Sequence, residues 1–276
     1  IVQWLEKLGR RWIFAILMLV FVATIVRPVG LALDIGQTTT DTFNVLDSLP
    51  AGSLVWFAAD YEPAGSAEVE PAARAFVRHA MKKDLKVAAA SMWPEGGMMF
   101  DRLVKILEAE FPDKTYGTDY VNLGYRPGGQ VFLQQLTEDL QGAVVGVDHY
   151  GNNLSGLPMM NGIKTIKDFA VVVGIAEGDP GYREYIKVVT DPLKIPYVVS
   201  LVAVSVSEAM PMMNSGQIKG MLMGLRGAAE YEKISNCPGT AMTCMDAQSF
   251  INVAILVFIV LGNVGYLIRK RQGGRN

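Results

Sequence analysis

The sequence predicts an α/β fold, a three-layer sandwich with a mainly parallel sheet (flavodoxin-like or Rossmann-like), flanked by an N-terminal and a C-terminal transmembrane helix. Two observations predict it. Short apolar segments alternate with amphipathic ones along residues 53–233, which is typical of a parallel sheet covered on both faces. Two uncharged apolar segments also lie near the ends of the chain, which has 276 residues, 50% of them hydrophobic and 19% charged.

The first apolar segment predicts a transmembrane helix over 12–33. Residues 12–26 carry no charged side chain and give about 22 Å of helix, so extension to residue 33 is needed to cross a core of about 30 Å. Pro28 would kink this last part or end the helix. A cleavable signal peptide is the alternative, because basic residues precede the segment.

The second apolar segment predicts a transmembrane helix over 249–268. Basic residues flank the pair: Lys7, Arg10 and Arg11 before the first helix, and Arg269, Lys270, Arg271 and Arg275 after the second. Segments that flank membrane helices on the cytoplasmic side carry an excess of Lys and Arg. The basic flanks therefore predict a cytoplasmic N-terminal segment (1–11) and a cytoplasmic basic tail (269–276). The α/β domain between the two helices (34–248) is then extracytoplasmic, either periplasmic or extracellular.

The elements of this domain follow from the hydrophobic pattern. After a polar linker at 36–50, the pattern predicts strands at 53–62, 85–91, near 120, 143–148, 168–177 and 197–206. It predicts helices at 66–84, 97–111, 130–140, 180–190 and 215–233. The helix at 97–111, for example, places Phe100, Leu103, Val104 and Leu107 on one face.

Composition and motifs exclude several classes of function. The formal net charge is −2, so the basic field that nucleic-acid binding needs is missing. The chain contains no GxSxG, HExxH or P-loop motif, and no GxGxxG follows the first strand; these motifs mark hydrolase and nucleotide sites. The sequence therefore leans against an enzyme and predicts no cofactor.

Residues that directly follow strands are the candidates for ligand binding, because ligands of parallel sheets bind at the carboxyl ends of the strands. The candidates are Asp60, Glu62, Glu95, Arg126, Glu177 and Asp179. Carboxylates gathered there would suit Mg²⁺ or Ca²⁺, or a polyhydroxylated or cationic ligand. Arg126, the first residue of the turn at 126–129, would suit an anion. The alternative is that the carboxylates cap helices.

His149 is the one histidine expected in a loop, next to Asp148. A carboxylate that orients an imidazole makes a general base. If the protein is an enzyme, Asp148 and His149 are the predicted catalytic residues.

Cys237 and Cys244 lie close together before the second apolar segment, with Pro and Gly between them. In an oxidising compartment such a pair predicts a disulfide. Free thiols and a metal site are the alternatives.

Two segments containing Pro-Met-Met-Asn nearly repeat, at 158–164 and 211–219, in a chain with 14 methionines. Methionine adapts to contact surfaces, so Met159, Met160, Met212 and Met213 are predicted interface residues. Ordinary packing and Cu(I) ligation are the alternatives.

These observations favour a hairpin-anchored protein whose extracytoplasmic domain is an assembly or ligand-binding component of a membrane complex, without catalysis. Its expected partners are membrane lipid and subunits of the complex, including copies of itself. The alternative is a membrane-tethered enzyme, metal-dependent if the carboxylates at the strand ends bind a cation.

Overall fold

The computed structural model describes residues 10–27, 29–30 and 33–273. The chain divides into two compact units: an α/β unit, Leu33–Ala241, and a helical unit that contains the described residues before 33 and from 242 onward.

The helical unit contains α1 (Arg10–Val26) and most of α11 (Ala241–Gly273). The elements of the α/β unit are, in chain order, α2 (Gln37–Asp47), β1 (Leu54–Asp60), α3 (Ser66–Lys82), β2 (Lys86–Ser91), α4 (Gly96–Glu110), β3 (Tyr120–Tyr125), α5 (Gln130–Glu138), α6 (Leu140–Ala143), β4 (Val171–Ala176), α7 (Tyr182–Tyr185), α8 (Asp191–Leu193), β5 (Tyr197–Leu201), α9 (Ala203–Asn214), β6 (Gly220–Met223) and α10 (Gly224–Ile234).

The six strands form one parallel sheet in the order β3-β2-β1-β4-β5-β6. The predicted α/β class is therefore confirmed. The chain moves outward from β1 to β3, returns to the other side of β1, and continues outward from β4 to β6. This is the doubly wound strand order of Rossmann folds and differs from the flavodoxin order. The direction in which successive strands are added to the sheet reverses between β1 and β4.

Helices cover both faces of the sheet. Helix α3 contacts α4 and α10, whereas α5 contacts α7 on the other side. Strands β4 and β5 are buried at every position, as expected for strands covered on two faces. The pairing of Ala58 with Gly174 and of Asp60 with Ala176 places the ends of β1 and β4 at the same level.

The segment predicted as a polar linker at 36–50 is instead mostly helix α2. Its buried face consists of Thr39, Thr42 and Leu46. The Thr42 hydroxyl donates to Thr38 O within the helix (2.8 Å), and the Thr39 hydroxyl donates to Glu230 (2.7 Å). The linker prediction was wrong because two buried positions are threonines whose hydroxyls have internal partners, which an apolar pattern does not reveal.

The predicted strand at 197–206 ends at Leu201, and helix α9 follows from Ala203. The first backbone N–H of α9 donates to the Glu68 carboxylate (2.6 Å), so a residue distant in sequence caps the helix. The predicted helix at 215–233 is instead β6 followed by α10.

The strand predicted at 143–148 is absent from the described fold. Val145 and Gly146 have positive φ angles of 57° and 67°, which interrupts an extended conformation. A single bridge between Val147 and Asn153 remains.

The N-terminal helix predicted over 12–33 is shorter than expected. Helix α1 has 17 residues and ends at Val26, which gives about 26 Å. Proline at position 28 lacks the N–H that would continue a helix. The backbone N–H groups of Val29 and Gly30 instead donate to the Asp246 carboxylate, at 3.0 and 2.7 Å.

Within the described ranges, one helix is long and apolar enough to cross a membrane, the Ala241–Leu267 part of α11. Many of its apolar side chains are exposed, including Val253 and Leu256. The C-terminal segment thus meets the length and composition of a membrane helix, whereas α1 falls below that length.

Candidate functional site at the carboxyl edge of the sheet

The parallel strands bring the segments that follow β1, β2 and β4 to one edge of the sheet. Asp60 ends β1 and lies at the point where the strand order reverses. This position is the usual ligand site of doubly wound sheets. The carboxyl edge beside Asp60 is therefore the candidate functional site.

Asp60 is buried, with 1% of its surface exposed. Its Oδ1 accepts from Met92 N (2.7 Å) and from the Ser91 hydroxyl (3.2 Å). Burial raises the pKa of Asp60 to about 7, and the negative charge of Glu184 adds to the rise. Asp60 is therefore a carboxyl group that exchanges a proton near neutral pH.

Tyrosines lie beneath Asp60 on the same face of the sheet. Tyr185 accepts a hydrogen bond from Trp56 Nε1 (3.0 Å) and stacks on Tyr197, with ring centroids 6.2 Å apart. Burial and then the charge of Asp60 raise the pKa of both phenols above their usual range. The Tyr197 hydroxyl has no hydrogen-bond partner among the described residues, and a Cβ on Gly174 would lie 2.3 Å from it.

Trp93 connects the segments that follow β2 and β4. Its indole Nε1 donates to Pro180 O (2.7 Å), so the segment after β2 reaches across β1 to the segment after β4. The indole also packs on Gly178, where a Cβ would lie 3.3 Å from the ring.

The Glu177 carboxylate lies at the N-terminal end of α3. Its Oε2 accepts from Glu62 N (3.1 Å), and a Cβ on Gly65 would lie 2.1 Å from its carboxyl carbon. In Rossmann folds the pyrophosphate of a dinucleotide binds at the N-terminus of the helix after the first strand. Here a carboxylate of the protein itself occupies that position, which disfavours a phosphate there.

The remaining predicted carboxylates do not converge on one point. Glu95 is the N-cap residue of α4 but makes no side-chain capping bond, and Asp179 pairs with Arg183 (2.7 Å). In the part of the chain that the structure describes, no group of three His, Cys, Asp or Glu side chains could hold a metal ion.

The Arg126 side chain has a partner within the protein. Its Nη2 donates to Val147 O (2.6 Å), and its Nε is buried without a partner among the described residues. Burial lowers the pKa of Arg126, which the charge of Asp148 partly offsets. The guanidinium therefore holds the segment that follows α6.

His149 pairs with Asp101 and not with its neighbour Asp148. Its Nε2 lies 3.3 Å from Asp101 Oδ2. Asp101 Oδ1 accepts from Tyr150 OH (2.6 Å) and Asn122 Nδ2 (2.7 Å). Burial and then the bond to Asp101 raise the pKa of Tyr150 above its usual range, so the phenol remains a donor.

Glycines make room for the His149 ring. A Cβ on Gly97 or on Gly124 would lie 3.0 Å from its Nδ1. Sequence reasoning found His149 but missed Asp101, because Asp101 lies far away in sequence, inside the amphipathic pattern of α4. The positions of Gly97 and Gly124 in the sequence also do not indicate that both glycines lie against the His149 ring.

Asp148 has a structural role. Its Oδ1 accepts from the backbone N–H groups of Tyr150 (2.9 Å) and Asn152 (2.7 Å), and its Oδ2 accepts from Tyr116 OH (2.8 Å). It therefore fixes the loop that carries His149.

The two Pro-Met-Met-Asn segments differ in structure. Pro158–Met160 is a 3-10 turn, whereas the second segment ends helix α9. Met159 and Met160 are 3% and 1% exposed, and Met212 and Met213 are partly buried against the same core. These positions favour the packing alternative over the interface.

The predicted disulfide was wrong: Cys237 and Cys244, both within the described ranges, are not bridged. Cys237 is fully buried, and its thiol donates to Ser235 O (3.4 Å). Because α11 begins at Ala241, Cys244 lies within a helix and not in the tight turn that the Pro and Gly suggested.

Comparisons with protein-family models, with curated proteins and with solved structures find no match for this chain.

Replacing Asp60 with Asn tests whether burial raises the pKa of the Asp60 carboxyl group. Between about pH 4 and pH 7 the unfolded chain has lost the Asp60 proton while the folded protein keeps it, so this group makes the free energy of unfolding fall as pH rises. Asp60→Asn removes this titration. The free energy of unfolding of the variant minus that of the native chain should therefore rise by roughly 4 kcal/mol as the pH increases from 4 to 7. Urea unfolding of both proteins at each pH measures this difference. A difference independent of pH would contradict the assignment.

A double-mutant cycle tests whether Glu177 fills the N-terminus of α3. Gly65→Ala should displace the Glu177 carboxylate and lower the free energy of unfolding by about 1 kcal/mol, the value of one hydrogen bond. In a Glu177→Ala background the same change should cost nothing, because the displaced group is gone. Equal costs in both backgrounds would show that the two residues are not in contact.

Proposed function

We propose that this protein is a membrane-anchored assembly component whose α/β unit binds neighbouring subunits and does not catalyse a reaction. The observation that carries the proposal is the character of the carboxyl edge. Three of its carboxylates, those of Asp60, Glu177 and Glu184, are directed inward to backbone N–H groups, and apolar side chains are exposed there.

The inward carboxylates serve the fold. Backbone N–H groups of the unit donate to Asp60, Glu68 and Glu177, and Gly181 N donates to Glu184 (2.7 Å). A carboxylate used in this way is less available for a ligand. Asp60 is also 1% exposed, so a substrate could not reach it in this conformation.

The exposed apolar side chains follow strands at the same edge. Val204 is 83% exposed in the first turn of α9, and Val131 is 64% exposed in the first turn of α5. Met98 and Tyr125 are also exposed, near the ends of β2 and β3. We infer that these side chains form part of a protein contact surface at this edge.

The α/β unit is suited to a hairpin anchor. Both of its ends attach to α10: Lys233 Nζ donates to Leu33 O (2.8 Å), and Ala241 N donates to Glu232 (3.0 Å). We infer that α1 and α11 both cross the membrane and that both termini are cytoplasmic, as the basic flanks indicate. Helix α1 is a few ångströms short, a mismatch that local thinning of the bilayer can accommodate.

A membrane-tethered enzyme is the second candidate, favoured by one observation. The Asp101–His149 pair, with its 3.3 Å contact, has the arrangement of a carboxylate that orients a general base. The catalytic residues would then be His149 and Asp101, with Asp148 holding the loop.

Single charge substitutions test the assembly proposal. Val131→Glu and Val204→Glu should each lower the oligomer mass in detergent, because a carboxylate buried in an apolar contact is costly. Val145→Glu is the control, because Val145 is 74% exposed but lies after α6 and not after a strand. All three positions are exposed enough that folding should be retained.

A native chain that is monomeric in mild detergent would contradict the proposal. So would a loss of mass in Val145→Glu equal to that in the other two variants.

A further inference from the structure

The apolar part of α11, residues 250–268, contains three polar side chains, those of Asn252, Asn263 and Tyr266. Eleven residues separate the two asparagines, which is about three helical turns, so both lie on nearly the same side of α11. Both are exposed, and neither amide has a hydrogen-bond partner among the described residues. One side of the apolar helix therefore carries both amides.

The opposite side of α11 is already covered within the chain. Its less exposed positions recur at a spacing of three, four or seven residues and include Ala247, Ile251, Ala254, Phe258 and Gly265. Residues at this spacing lie on the same side of a helix. The two asparagines lie about half a turn away from that side, so the amides are on the side that the rest of the chain leaves open.

The open side of α11 has the spacing of a surface that pairs with another helix. Four, three, four and three residues separate its members, which are Asn252, Leu256, Ile259, Asn263 and Tyr266. This is the heptad spacing of coiled coils. The apolar members Leu256 and Ile259 are exposed. We call these five residues the asparagine face.

A lipid environment makes the two amides costly. With residues 249–268 across the bilayer, Asn252 and Asn263 lie about 5 and 8 Å inside the nearer ends of this segment. Hydrocarbon offers an amide neither a donor nor an acceptor, so polar side chains of membrane helices usually face another helix. Here the amides face away from the covered side of α11. A second molecule therefore has to supply that helix.

We propose that α11 pairs in the membrane with α11 of a second copy of this chain through the asparagine face. Two copies insert with the same orientation, so the two helices are parallel and each residue of the face meets its own counterpart. An asparagine amide both donates and accepts, so each asparagine bonds to its counterpart. A different protein would need amides of its own at both levels. This inference rests on the proposed function, because it requires α11 to cross the membrane.

Disulfide cross-linking of single cysteines in cell membranes tests which side of α11 meets the second copy. In a Cys244→Ser background, Ile259→Cys should form a cross-linked dimer under mild oxidation. Val257→Cys is the matched control and should form little dimer. Val257 and Ile259 are 50% and 52% exposed, but Val257 lies outside the asparagine face. Leu256→Cys provides the same test if Ile259→Cys does not accumulate.

Energy transfer between labelled copies in lipid vesicles measures the dissociation constant of the pair. The labelled chain carries Val131→Glu and Val204→Glu, which weaken the proposed contact of the α/β unit, so the transfer reports on α11. Adding Asn252→Leu and Asn263→Leu should raise the constant about tenfold, because hydrogen bonds between the helices are lost. Glutamine at both positions keeps the amides and should leave the constant closer to its original value.

Equal cross-linking of Ile259→Cys and Val257→Cys would overturn the proposal, and so would a dissociation constant that the leucine substitutions leave unchanged. Either result leaves the assembly function standing if Val131→Glu and Val204→Glu still lower the oligomer mass. Retained mass in those two variants, together with dimers of Ile259→Cys, would instead contradict the contact surface of the α/β unit and support the pairing of α11.

Discussion

The buried carboxylate of Glu230 on α10 is the interaction on which the rest of the α/β unit depends. It is 4% exposed and accepts from Gly36 N (2.9 Å), the Thr39 hydroxyl (2.7 Å) and Arg226 Nε (2.9 Å). A buried charge without such partners is strongly destabilising. The first segment of the unit must therefore return to its last helix, and this places α2 against β6. Because Glu232 and Lys233 of the same helix bind Ala241 and Leu33, the chain enters and leaves the unit beside α10.

The carboxyl edge of this doubly wound sheet differs from that of dinucleotide-binding proteins in the side chains that occupy it. The fold places a helix N-terminus and a reversal of strand order beside Asp60, as in dinucleotide-binding proteins. The carboxylate of Glu177 fills that position, and Trp93 joins the segments after β2 and β4. Strand order alone therefore implies nothing about the ligand. The side chains at the edge decide what the edge can bind.

Much of the fold could be predicted from the sequence, because the buried strands are apolar and the helices between them are amphipathic. The exceptions have long-range causes. Helix α2 depends on threonines that bind a distant glutamate, and α9 depends on a cap from Glu68. At the site, the residues after the strands were found, but not their partners. Asp101 beside His149, and the absence of a Cys237–Cys244 bridge, follow from packing that spacing in the sequence does not encode.

We propose that α1 and α11 both cross the membrane, so that each end of the α/β unit leads to a membrane helix. Labelling of single cysteines in intact cells with a membrane-impermeant maleimide tests it most directly. In a Cys244→Ser background, Ala67→Cys on the α/β unit should be labelled. Gln3→Cys and Gln272→Cys should be labelled only after the cells are permeabilised. Labelling of Gln3→Cys together with Ala67→Cys in intact cells would show that α1 does not cross the membrane and would contradict the account.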